Sequence, residues 1–258
     1  MRLMKRILSA AAVLALSASL LVGCSSGTAS SVPVSASSAA ESTVSSVEET
    51  ASSAVDENEA AAAQLLNDLT GSYQELWPVI LADEYKQTWL DDCTALVGED
   101  NAEAAFEKLS SMVTGDVYGE DAVKAYANGG GAYFCGFTND LATLTFDGET
   151  STISGTDKDG NVLFSHTYHY IGMEPVRGLY EFQSDDADSG EFTYFFLAPD
   201  TSAETYHIEF RYGSDAEALS QYDTGEYAYW LASGISTDCD QTMIDNCIEL
   251  FCTENLAG

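Results

Sequence analysis

From Gly129-Gly130-Gly131 onward the chain becomes a succession of short segments rich in Tyr, Phe, Thr, Val and Ile. Turn residues interrupt it about every eight to twelve positions. The expected strands are Ala132–Thr138, Leu141–Phe146, Ser151–Gly155, Val162–Tyr170, Val176–Gln183, Phe192–Leu197 and Thr205–Tyr212. Asn139-Asp140, Asp147-Gly148 and Asp157-Lys158-Asp159-Gly160-Asn161 have the composition of hairpin turns between them. This spacing predicts an antiparallel meander that closes into a barrel. Helical patterns flank it. Residues 61–69 read as a helix. Residues 88–113 read as one or two, with Phe106, Leu109 and Met112/Val113 at helical spacing. Near the C-terminus Met243, Ile244, Cys247, Ile248 and Phe251 form an apolar stripe, with Ser236 or Thr237 as the expected cap. The fold class is therefore mainly β with flanking helices: an antiparallel β-barrel with N-terminal helices and a C-terminal helix.

The N-terminus adds a destination. Arg2, Lys5 and Arg6 precede an uncharged apolar run from Ile7 to Val22, as in a secretion signal. The run ends in Leu21-Val22-Gly23-Cys24, which has the form of a bacterial lipobox. Residues 1–23 are thus expected to be a lipoprotein signal peptide and Cys24 the lipidated first residue of the mature chain. Several acyl chains on one residue give durable attachment, so the protein is expected on the outer face of the bacterial cell membrane, held through that anchor. Residues 24–59 are almost entirely Ser, Ala, Thr, Val, Gly and Glu without an aromatic residue, the composition of a flexible tether. Residues 60–258, long enough for a real core, form the expected barrel domain. They hold the three Trp, the 14 Tyr and the 11 Phe.

The formal charge is −33, and loss of the signal's three basic residues deepens it. Such a field argues against nucleic acid, anionic head groups and acidic substrates, and permits cations. Net charge supplies no geometry, so a cation role needs a specific site. Asp157-x-Asp159-x-Asn161 resembles half of a calcium loop, but the twelfth position, where a bidentate carboxylate belongs, is Tyr168. The run is read as a polar turn. Besides Cys24 there are Cys93, Cys135, Cys239, Cys247 and Cys252, an odd number, so at least one is unpaired or intermolecular. No Cys-x-x-Cys occurs. The stretch also lacks a Gly-x-Ser-x-Gly elbow, a phosphate loop, Gly-x-Gly-x-x-Gly and His-Glu-x-x-His. The reading is that this is not an enzyme.

Five pieces, in order, resemble one family. Asp68-Leu69-Thr70-Gly71-Ser72-Tyr73-Gln74-Glu75-Leu76-Trp77-Pro78-Val79-Ile80 is similar to the opening motif of the ZinT (YodA) family. Val176-Arg177-Gly178-Leu179-Tyr180-Glu181-Phe182 resembles its Val-Arg-Tyr-Leu-Phe-Glu-Cys strand. Ala198-Pro199 followed by Tyr206-His207-Ile208 resembles its Ala-Pro…His-Phe-His-Ile segment. Gly213-Ser214-Asp215 and the aromatic stretch Tyr227–Trp230 follow in the family's order. The resemblance implies a lipocalin-like (calycin) barrel outside the cytoplasm. It implies zinc bound at the barrel mouth on three histidines, and zinc buffering or delivery to the binding protein of a metal-uptake ABC transporter.

The family's His-x-His pair corresponds here to Thr205 and His207, and the upstream histidine falls near Phe195. Only His207 is kept, and the chain has just three histidines, His166, His169 and His207. Zinc takes about four ligands, with N or S donors favoured and carboxylates allowed. Strand alternation puts Thr205, His207, Glu209 and Arg211 on one face and Tyr206, Ile208, Phe210 and Tyr212 on the other. It puts His166 with Val162, Phe164, Tyr168 and Tyr170, an inward face, and His169 outward. The expected metal ligands are therefore His207, Glu209 and His166, for zinc or another divalent ion. The competing reading is a metal-free calycin-like module that holds a small apolar ligand or a protein partner.

Overall fold

The computed structural model describes residues 57–257. The signal, the lipobox cysteine Cys24 and most of the Ser-rich tether lie outside those residues. Helix α1 spans residues 57–68. It leads into β1 (Gly71–Glu75), α2 (Leu76–Ile80), α3 (Lys86–Val97), α4 (Glu99–Val113) and α5 (Glu120–Ala127). The rest of the sheet follows as β2 (Thr143–Asp147), β3 (Thr152–Thr156), β4 (Val162–Met173), β5 (Tyr180–Ser184), β6 (Tyr194–Leu197), β7 (Ile208–Gly213) and β8 (Ala232–Ser236). Short helices α6 (Ser202–Thr205) and α7 (Ala216–Leu219) sit in the last two strand connections, and α8 (Gln241–Leu256) ends the fold. No helix among the described residues is long and apolar enough to cross a membrane.

The eight strands pair antiparallel in chain order, and β8 returns to β1 to close the barrel. Closure removes the unpaired edges that an open meander would expose. Alternation sorts the side chains. Tyr73, Leu144, Phe146, Ile153, Phe164, Tyr168, Phe182, Phe195, Phe210 and Tyr212 belong to one buried cluster, joined by Leu65, Leu66 and Leu69 of α1. Rings inside it pack against one another, as in Phe164 on Phe192 (centroids 3.9 Å apart) and Phe195 on Tyr212 (5.3 Å). A second cluster lies outside the barrel wall. There Ile235 of β8 meets Leu76, Trp77, Ile80, Trp89, Leu109 and the α8 residues Ile244, Cys247, Ile248 and Cys252. The stripe read from the sequence is the buried face of α8.

Of the one or two helices expected before the sheet, the structure forms two within residues 86–113, because Gly98 has φ +83° and ends α3 where a residue with a side chain would be strained. It redraws several other elements. Residues 132–138 are not a ladder strand; Phe134 makes only isolated bridges to Thr114 and Trp230. The strand expected from Val176 begins at Tyr180. Neither Ser236 nor Thr237 caps α8: Asp240 does, its carboxylate accepting from the Met243 N–H at 2.9 Å. The Asp157 run is a closed turn. The Asp157 carboxylate accepts from the N–H groups of Asp159 (2.9 Å) and Asn161 (2.8 Å) and from the Asn161 amide (2.8 Å). Hydrogen bonding to its charged form, chiefly from Asn161, lowers the Asp157 pKa.

The β2–β3 turn is packed onto α1. Gly148 N–H donates to Thr70 Oγ1 (3.0 Å), and a Cβ at Gly148 would stand 2.4 Å from Asn67 Cα and 2.6 Å from Leu66 O. Backbone cannot rotate away as a side chain does. Gly148→Ala is expected to cost about 1–3 kcal/mol, read as a lower midpoint in urea with an unchanged slope.

Candidate functional site

His207 stands immediately before β7, and the turn that delivers it is built for the purpose. Thr201 and Glu204 form a capping box at the start of α6. Tyr206 then takes a left-handed conformation, φ +67°, which swings the chain into β7. Thr205 holds the result: its hydroxyl donates to the His207 carbonyl at 2.8 Å, and its own carbonyl accepts from His207 Nδ1 at 2.7 Å. That second bond places a proton on Nδ1 and aims Nε2 away from the backbone. Glu209, two residues on and on the same face of the strand, brings Oε1 to 3.9 Å from Nε2. Ile208, Phe210 and Tyr212 point into the barrel core. His207 and Glu209 therefore lie on the outer wall, against α8, where Cys247 Sγ is 3.9 Å from His207 Nδ1.

This outer face is not a freely solvated one. The His207 side chain is 18 % exposed, that of Glu209 43 %, and Arg211 is fully buried. Burial opposes charge on His207, but the Cys247 sulfur and the Glu209 carboxylate outweigh it and hold the imidazole pKa well above its usual range. Burial would raise Glu209, and the neighbouring His207 and Arg177 more than reverse it. Both directions favour an imidazolium beside a carboxylate. Two further carboxyls sense the same field. Asp200, just after Ala198-Pro199, is raised by burial and by Glu204 and Glu209; Glu254 of α8 is raised by burial, Glu209 and Asp200. Strand alternation singles out neither. Asp200 adjoins a recognised motif and was open to notice. Glu254 reaches the site only through the docking of α8.

His166 is placed elsewhere. It faces inward as expected, its ring stacked on Phe164 at 5.9 Å, but its Nδ1 pairs with Asp186 Oδ2 at 2.8 Å. Asp186 lies in the β5–β6 connection and His207 in the β6–β7 connection. Consecutive connections of an up-and-down barrel lie at opposite ends, and two strands separate β4 from β7. The structure brings His207 and Glu209 together and leaves His166 apart. His169 points outward and pairs with Asp185 Oδ1 at 2.6 Å. Thr205 orients His207, and Phe195 is fully buried among the barrel's aromatic rings. Among the described residues no three His, Cys, Asp or Glu side chains are arranged to hold a metal ion. The residues present do not fit a closed, four-ligand zinc site. They supply two donors on an acidic wall.

A single meander closed into eight up-and-down strands, with helices packed outside, is the calycin type of barrel. No family model matches the sequence, and no curated protein matches it. Among solved structures, the Zn(II)-bound ZinT-like domain of Streptococcus pneumoniae AdcA is similar over 72 % of this chain and 89 % of that one, at 16 % identity and a TM-score of 0.45. Zn(II)-bound AdcA from the same organism is similar over 70 % of this chain and 34 % of that one, at 15 % identity and a TM-score of 0.43.

Proposed function

We propose that the protein is an exported, lipid-anchored barrel that takes up a divalent cation, zinc foremost, at the His207–Glu209 wall and serves metal buffering or supply at the cell surface. The observation that carries this is the orientation of His207. Its Nδ1–H is fixed on a backbone carbonyl, the arrangement by which proteins present Nε2 to a metal, and Nε2 faces a carboxylate. Donors 3.9 Å apart are within reach of one ion with bonds of about 2.0–2.2 Å after a small side-chain rotation. Asp200 and Glu254 are two further carboxyls that sense the pair, and water fills what remains. Such an open site is labile, because the cation competes with the proton on His207 and few protein ligands hold it. Lability suits a carrier that hands its ion on to an uptake transporter's binding protein, and the anchor at Cys24 keeps the carrier at that membrane. The strongly acidic surface raises the local cation concentration. The alternative, an apolar ligand inside the barrel, is disfavoured by the interior itself, where Phe146, Phe182, Phe195, Phe210 and Tyr212 are packed with 1 % exposure or less.

Calorimetric titration of the full chain with zinc tests the proposal. Saturable binding should weaken at least about tenfold in His207→Ala, or about 1.4 kcal/mol, and should persist in His166→Ala. Binding that is absent, or that the His207 substitution leaves unchanged, overturns it.

A further inference from the structure

Outside the barrel, α3 and α8 lie against each other, and each contributes one cysteine to the contact. Cys93 Sγ and Cys252 Sγ are 3.9 Å apart, and both side chains are fully buried. We infer that Cys93 and Cys252 close a disulfide that fastens the C-terminal helix to α3. Their sulfurs touch across the α3–α8 contact. Cys135 lies against the barrel wall, Cys247 faces His207, and Cys239 is half-buried in the turn before α8. One pair and three thiols account for the odd number left once Cys24 is set aside. Bond formation needs the sulfurs to come from 3.9 Å to about 2 Å, roughly 1 Å of travel for each.

The oxidant is a disulfide, either of a thiol–disulfide oxidoreductase or of a small thiol, written R–S–S–R. A thiolate of the pair attacks one donor sulfur and expels R–S⁻. The second cysteine's thiolate then attacks the protein sulfur of the mixed disulfide and expels the other R–S⁻. Two electrons pass to the donor, and the two cysteine protons leave with two R–SH. Burial pushes both thiols up, so little thiolate exists once the helices have docked, and the reaction belongs to the chain before α8 closes. Afterwards the same burial protects the bond. The cysteines are 159 residues apart in sequence, so the bond closes nearly the whole domain into a loop, where restriction of the unfolded chain is greatest. An oxidising compartment for this chemistry rests on the export reading; the bond itself does not depend on metal binding.

The full chain, denatured under reducing conditions, is refolded in a mixture of oxidised and reduced glutathione. Free thiols are then alkylated in denaturant and the peptides mapped without reduction. The expected result is a cross-linked Cys93–Cys252 peptide, with the alkyl label on Cys135, Cys239 and Cys247. The oxidised protein should melt roughly 10 °C above its reduced form. That gap should vanish in the Cys93→Ser/Cys252→Ser double variant and remain in Cys239→Ser. Cys93 and Cys252 both alkylated after refolding, or either joined to a different cysteine, overturns the inference. Mapping uses the unsubstituted chain, so the answer does not hang on a variant that folds. Failure of the export reading shows separately, as an unlipidated Cys24 in membrane fractions.

Discussion

Arg211→Ala should be among the most destabilising single substitutions in the domain, costing about 3–5 kcal/mol. Arg211 is fully buried on the outer face of β7 and makes no salt bridge among the described residues. Its guanidinium donates to three backbone carbonyls of the β7–β8 connection, those of Leu219, Gln221 and Tyr227, and lies over the Tyr222 ring at 4.3 Å. Sequence logic explains why one side chain carries so much. The connection runs from Gly213 to Ala232 with only the short helix α7 in it, so no sheet ladder satisfies its carbonyls. A planar fork of five N–H groups on three nitrogens spans three of them at once, whereas a lysine's three donors all radiate from one nitrogen. Removing the fork leaves each buried carbonyl with a desolvation penalty of about 1–3 kcal/mol, relieved in part by water entering the gap. Arg211→Lys is expected to recover roughly half of the loss. Urea unfolding monitored by Trp fluorescence gives the measurement. A loss below about 1 kcal/mol in Arg211→Ala would mean that the connection holds its shape without the guanidinium.

The same arginine marks where reading from sequence stopped. Alternation placed Arg211 correctly on the face of His207 and Glu209, but alternation does not say what lies over a face. The eighteen residues between β7 and β8 cover it, and that is a tertiary fact. The strands that close the barrel were illegible for a related reason. In β1, Gly71-Ser72-Tyr73-Gln74-Glu75, only Tyr73 is strongly apolar and buried. In β8, Ala232-Ser233-Gly234-Ile235-Ser236, the small residues exist because neighbours crowd in: a Cβ at Gly234 would come within 3.1 Å of the Ile208 side chain. A seam packed this tightly loses the β-branched and aromatic signature by which strands are recognised. Conversely, residues 132–138 carry that signature without a ladder. Their backbone is held by single bonds, such as Phe134 N–H to the Tyr229 carbonyl (2.9 Å) and Ser233 N–H to the Cys135 carbonyl (3.0 Å), which make an extended strap along the wall. At the site, the i, i+2 relation of His207 and Glu209 was local and could be read. The separation of His166 follows from strand order, and the approach of Glu254 and Cys247 follows from where α8 docks.

That docking is tested by Trp89→Ala, for which the expected loss is about 4 kcal/mol or more. Trp89 is fully buried between α3, α4 and α8, its ring 5.7 Å from Phe106 and 6.0 Å from Phe251. Its Nε1–H donates at 2.7 Å to the carbonyl of Ile80, the last residue of the helix that β1 runs into. One side chain thus ties the barrel's first strand, through α2, to the helix that carries Cys247 and Glu254. Truncation removes one of the two indole rings of the outer cluster, opens a cavity that α3 and α8 cannot collapse without leaving the wall, and orphans the Ile80 carbonyl. The first effect is worth about 3–5 kcal/mol and the last about 1–3 kcal/mol, against a total stability of about 5–15 kcal/mol for a domain of this kind. Trp89→Phe separates the terms: it keeps most of the ring and loses the hydrogen bond, so about 1–2 kcal/mol is expected. Because α8 forms one side of the His207 crevice, Trp89→Ala should also speed alkylation of Cys247 in the folded protein, where Arg211→Ala leaves it slow. Equal Cys247 labelling rates in the two variants would show that α8 holds its place on the barrel without Trp89.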